Sequence, residues 1–279
     1  MQIGLRLHDS AEVPFEKRLQ NIKAQGFSCA HIALRKTSGL PWEDGALTPG
    51  YAMYLKNSFA KAELDVAVLG CYLNLGNPNQ EELHKTQESY KAHIRFASLL
   101  GSGVVGTETG APNETYSYDK DACHSEEALI SFINNLTPVV RYAESMGVIV
   151  AIEPVYNHIV WNAKRARTVL DVIGSPNLQI IFDPVNLLSM DNLDNRDEII
   201  DETIDILGKD IAVIHLKDYR SFNGKLESMA AGTGDMDYIS IIRFAREHKP
   251  FIHATLENTK PDNAVAARLA IENLEKTVL

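Results

Sequence analysis

Cysteine is scarce in this chain: Cys29, Cys71 and Cys123 are the only three among 279 residues. An odd number at wide spacing excludes a disulfide framework, and no close cysteine pair suggests a structural zinc site. Cys29 and Cys71 lie in apolar strand-like runs, where a thiol serves as a small buried hydrophobe. Long uncharged runs are missing too; nothing approaches the ~20 residues of a membrane span. The opening stretch Met1-Gln-Ile-Gly-Leu-Arg-Leu7 lacks the basic segment and apolar core of a secretion signal. A soluble protein of a reducing cytoplasm, without membrane contact, is expected. Positive charge is in deficit: 27 Lys and Arg against 37 Asp and Glu leave a net charge of −10. That balance disfavours broad contact with phosphate backbones, so no nucleic-acid partner is expected. It suits a protein that holds a cation among carboxylates.

What is present is a strict alternation. Apolar, β-branched runs occupy roughly residues 2–7, 29–34, 66–73, 104–107, 148–153, 178–183, 211–215 and 251–257. Helix-period segments separate them. Thr48 before Pro49 reads as a helix start, and Gly26, Gly147, Gly174 and Gly208 read as helix ends. Eight strand-plus-helix units predict a parallel sheet closed into a (β/α)8 TIM barrel. About 250 residues suffice for that fold, so residues 1–279 are expected to form a single domain. No linker, low-complexity stretch or internal repeat interrupts it. Loops that follow strands are longer than those that precede them, which places function at the C-terminal ends of the strands.

Four successive strands end on one possible metal ligand each: Glu153, Asp183, His215 and Glu257, separated by 30, 32 and 42 residues. That is about one barrel unit per ligand, so the four converge at one mouth. Three carboxylates and an imidazole suit one divalent metal ion, Mn²⁺, Mg²⁺, Co²⁺ or Zn²⁺, with oxygen dominance favouring Mn²⁺ or Mg²⁺. Singly, each has an ordinary alternative. Asp183 precedes Pro184 and fits a helix cap, His215 a core histidine, and the glutamates ion pairs. Together, buried charges converging in one place need compensation.

At these residues the chain resembles the xylose isomerase-like barrel superfamily, and in particular its sugar-phosphate isomerase/epimerase branch. The motifs are Ile152-Glu153-Pro154, Phe182-Asp183-Pro184-Val185-Asn186, His215-Leu216-Lys217-Asp218 and Leu256-Glu257-Asn258, with Gly232-Thr233-Gly234 following strand 7. The resemblance spans the whole chain. It implies a divalent metal held by Glu153, Asp183, His215 and Glu257, with Glu153 and Glu257 also moving the proton beside a carbonyl. Many members carry a histidine where Asn186 stands, and an amide cannot serve as a base.

The implied chemistry is sugar isomerisation or epimerisation through a metal-stabilised enediolate. A dehydratase or lyase acting on a polyol-derived ketone would use the same centre. A phosphodiesterase resembling endonuclease IV would need further histidines. A carbohydrate is the expected substrate, and the outer helices leave room for a homo-oligomer. Candidate substrate-binding residues are His158 and Trp161 after strand 5, Asn186 after strand 6, Lys217 and Arg220 after strand 7, Glu108 after strand 4 and His8 after strand 1. Lys217 or Arg220 would hold an anionic group or pair with Asp218 or Asp235. The Gly232–Gly234 loop would cradle a phosphate or act as a lid. Even spacing from Glu257 turns His253 towards the barrel interior as a core histidine.

Overall fold

A computed structural model describes residues 1–278. The apolar runs form β1 (Gln2–Arg6), β2 (Cys29–Ile32), β3 (Asp65–Gly70), β4 (Val104–Glu108), β5 (Ile149–Glu153), β6 (Leu178–Phe182) and β7 (Ile211–Leu216). A two-stranded hairpin follows, β8 (Asp218–Phe222) and β9 (Lys225–Met229), and β10 (His253–Leu256) completes the set. The barrel closes in the order β1-β10-β7-β6-β5-β4-β3-β2, every neighbour parallel. Around it run α1 (Phe15–Ala24), α2 (Pro49–Lys61), α3 (Gln80–Leu100), α4 (Lys120–Cys123), α5 (Glu126–Met146), α6 (Ala163–Ile173), α7 (Arg196–Leu207), α8 (Ile239–His248) and α9 (Ala264–Thr277). This is a (β/α)8 TIM barrel in one domain.

Local chemistry sets the helix boundaries. The Thr48 hydroxyl accepts from the Tyr51 amide ahead of α2, and Ser125 and Asn162 cap α5 and α6 in the same way. Gly147 and Gly174 follow α5 and α6 at φ 65° and 62°, in the left-handed region that glycine enters without strain. Gly208 ends α7 as expected, but in the right-handed region, and leads into a short 3-10 turn.

Strict alternation of eight strands and eight helices needs two corrections. The four-residue α4 precedes α5, and the β8–β9 hairpin stands between β7 and α8. The hairpin turns on Asn223-Gly224, both at positive φ, which is the pairing that a two-residue turn between antiparallel strands requires.

The strand period of two sorts the barrel interior into layers. Cys29, Ala67, Val68, Ala151, Ile181 and Val213 pack together inside as an apolar floor. Two residues further along three of these strands come Glu153, Asp183 and His215, and Lys217 lies two beyond His215. The remaining buried hydrophobics pack between strands and helices as a second, larger core. The site is therefore the layer of the barrel directly above its floor, and the mainly apolar β5, β6 and β7 carry their polar residues only where the interior opens.

Candidate metal and active site

Glu153, Asp183, His215 and Glu257 all reach the mouth of the barrel, each at most 6% exposed. His215 Nδ1 lies 3.3 Å from Glu153 Oε1 and 3.2 Å from Glu257 Oε1. Burial alone would lower its pKa, but the two carboxylates overcome that and raise it to about 9. Asp183 divides its work. Oδ1 accepts from the amides of Val185 and Asn186, capping the turn through Pro184, while Oδ2 points at the interior. Burial raises the Asp183 carboxyl to about 6, partly offset by Lys217.

Lys217, 5% exposed, enters the same layer. Its Nζ is 2.9 Å from Asp183 Oδ2 and 3.4 Å from Glu257 Oε2, and it donates to Asn186 Oδ1 at 2.6 Å. Burial pulls the ammonium down, yet Asp183, Glu257 and Glu153 hold it above its ordinary value. Asn186 in turn donates from Nδ2 to Glu153 Oε1 at 2.7 Å, so an amide orients the glutamate. Arg6 reaches Glu257 Oε2 at 3.2 Å and Asp9 at 2.9 Å. Burial works against the Glu257 carboxylate, but His215, Lys217 and Arg6 prevail and hold it well below the usual range.

The donors fit a divalent cation. Asp183 Oδ2 and His215 Nε2 are buried without a hydrogen-bond partner, Lys217 approaching the former only off the hydrogen-bond direction. Ligand atoms of Glu153, Asp183 and His215 lie within 4.8 Å of one another, as do those of His31, His215 and Glu257. The expected four ligands thus form two overlapping groups joined at His215. Charge compensation comes in part from the chain itself, because Lys217 and Arg6 pair with Asp183 and Glu257.

A cavity of about 260 Å³ opens above these residues. Of the accessory candidates it is lined by His8, Glu108, His158, Asn186 and Lys217. His158 and His8 are both pushed down to about 4, chiefly by burial. Glu108 accepts from Tyr116 and is raised by burial. Trp161 is not brought there: it stacks on His124 at 4.6 Å and meets Tyr156 edge-on. Arg220 lies exposed on β8, carried outward by the hairpin. Lys217 pairs with neither Asp218 nor Asp235. Instead the Asp218 carboxylate accepts from the amides of Gly232, Gly234 and Met236. The glycine loop therefore cradles an anion supplied by its own chain rather than a phosphate, and a Cβ on Gly234 would lie 2.5 Å from Asp218 Oδ1. His253 sits at the opposite end of the barrel, 3.2 Å from Asp65.

Several lining residues escaped sequence reasoning: Arg6, Lys36, Tyr72, Asn157, Ser228 and Asn258. His31, fully buried, bonds Tyr72 Oη through Nε2 at 3.0 Å and stacks on His215 at 5.3 Å. Parity was the available signal: Arg6 precedes His8 by two, His31 follows Cys29 by two, and Tyr72 follows Gly70 by two.

The model for the xylose isomerase-like TIM barrel matches residues 19–277. The chain belongs to this family. No curated protein matches it. Among solved structures, a D-tagatose 3-epimerase-like protein superposes with TM-score 0.78 at 21% identity, covering 100% of this chain and 98% of the other. The IolI protein with a bound zinc atom gives 0.76 at 16% identity, with 100% and 99% covered. A probable 3-DHS dehydratase, AsbF, from Bacillus anthracis gives 0.74 at 15% identity, with 98% of each covered. At these identities the likeness is one of fold.

Proposed function

We propose that the chain is a divalent-metal-dependent sugar isomerase or epimerase that moves a proton on the carbon beside a carbonyl. One observation carries this reading: Glu153 and Glu257, three strands apart around the barrel, both approach His215 Nδ1 and both line the same cavity. Glu153, Asp183, His215 and Glu257 would hold the ion, with Mn²⁺ or Mg²⁺ suited to the oxygen-rich set. When bound, it supplies Lewis-acid polarisation of a substrate carbonyl. The chain's own groups do the rest. A carboxylate within about 3 Å of the substrate carbon accepts its proton, and a second one on the other side returns it. Two such carboxylates favour epimerisation; one serving adjacent carbons gives aldose–ketose isomerisation. Asn186 aims Glu153, while His215, Lys217 and Arg6 hold Glu257 in its ionised form.

Elemental analysis beside the His215→Ala variant tests the centre: one equivalent of divalent metal, lost in the variant, is expected. The metal-loaded protein should then wash deuterium from D₂O into D-tagatose or another ketose beside the carbonyl. No exchange with any of the four metals across a ketose panel sinks the reading. Loss of water from a polyol-derived ketone, without epimer, would convert it to a dehydratase.

A further inference from the structure

The mouth is not the whole of the space at this end of the barrel. A second cavity of about 230 Å³ lies between the loop after β2, the end of β3 and α3. It shares two wall residues with the mouth, Lys36 and Tyr72, whose ammonium and ring are stacked at 4.6 Å. The two spaces differ in chemistry. Charged groups crowd the mouth; the side cavity has Arg35, Lys36, Glu43 and Asp44 in its lining as well, but Ala33, Cys71, Leu73 and the Trp42 indole add apolar wall that the mouth lacks. Trp42 is 40% exposed, and Arg35 lies 4.7 Å from its ring centre. The outer wall is pinned rather than loose: Thr37 Oγ1 donates to Ala33 O at 2.8 Å, Tyr51 Oη donates to Pro41 O at 3.3 Å, and Ser89 donates to Asp44. A half-covered indole on a pinned wall is a preformed surface for a flat group, which spares the ligand the cost of ordering it.

Position points the same way. Lys36 and Tyr72 are the wall common to both spaces, so a group seated in the side cavity lies one side chain away from the mouth. We propose that the side cavity seats an aromatic or comparably flat apolar group carried by the substrate at the end remote from its carbonyl. The substrate is then a substituted sugar rather than a bare monosaccharide. This assignment rests on the reading of the mouth as a sugar-carbonyl site.

Calorimetric titration of the Mn²⁺-loaded protein with D-tagatose and with 6-O-benzyl-D-tagatose tests it. The benzyl sugar should bind about tenfold tighter or more, and Trp42→Ala should bring the ratio close to one; tenfold corresponds to about 1.4 kcal/mol. Equal affinities in the parent protein overturn the side-cavity assignment and leave the mouth reading intact. A tenfold preference that survives Trp42→Ala overturns it too, because the benzyl group is then seated elsewhere. If neither sugar binds, the sugar reading of the mouth fails and takes this one with it.

Discussion

The floor and the mouth of the barrel are consecutive layers of the same strands, yet they obey opposite rules. In the floor, Ile181 and Val68 close so tightly over Gly106 that an added Cβ would meet both at 2.7 Å. Such packing stabilises by burial and dispersion and has no chemistry to offer. Two residues on, the same β5, β6 and β7 bury carboxylates and an imidazole, which are costly to desolvate and persist only through mutual compensation. Stability and function are thus separated by one strand repeat, and substitutions in the two layers should be read out by different measurements.

The largest effect is expected from the mouth carboxylates. Glu153→Gln and Glu257→Gln should each lower kcat by about 10² to 10⁴ while circular dichroism stays that of the parent. Full turnover in both would remove the proton-transfer roles. Next, Lys217→Met leaves Asp183 and Glu257 without their ammonium, and should cost the metal-free protein about 3–5 kcal/mol. Added Mn²⁺ should restore part of that loss; an unchanged urea midpoint would show that Lys217 compensates nothing.

Ile181→Ala in the floor should cost about 2–5 kcal/mol in urea unfolding with kcat unaltered. A kinetic defect of the same size would break the separation of the layers. The smallest effect is on pH. His8 and His158 are held down to about 4 in the folded protein, against about 6.5 unfolded. The unfolded chain therefore binds more protons between these values, and stability falls as pH drops through that window. Replacing either one by Asn should flatten the fall by about 1–3 kcal/mol. The Ile181→Ala loss should be nearly the same at pH 5 and 7, and a strong pH dependence there would blur the two layers again.

Most of the fold was legible because its signals are periodic and local. Eight apolar runs, the cap at Thr48 and the helix ends at Gly147 and Gly174 are all properties of short segments. The hairpin was legible as well, in Asn223-Gly224, but a scheme of strict strand–helix alternation left no room for it. Reading on from His215 as one continuous loop put Lys217 and Arg220 together at the mouth. The hairpin separates them, with Lys217 just inside its base and Arg220 out on β8.

The order of residues along the chain already contains the ladder: which strands exist, which way their residues alternate, and that Glu153, Asp183, His215 and Glu257 end four of them. Only the closed barrel decided which charges meet. Arg6 on Glu257, Lys217 between Asp183 and Glu257, Asn186 on Glu153 and His31 on His215 join strands and loops 30 to more than 200 residues apart. Side-chain direction along a strand is fixed by its own backbone, whereas a partner across the barrel is fixed by strand register and closure, which no local pattern encodes.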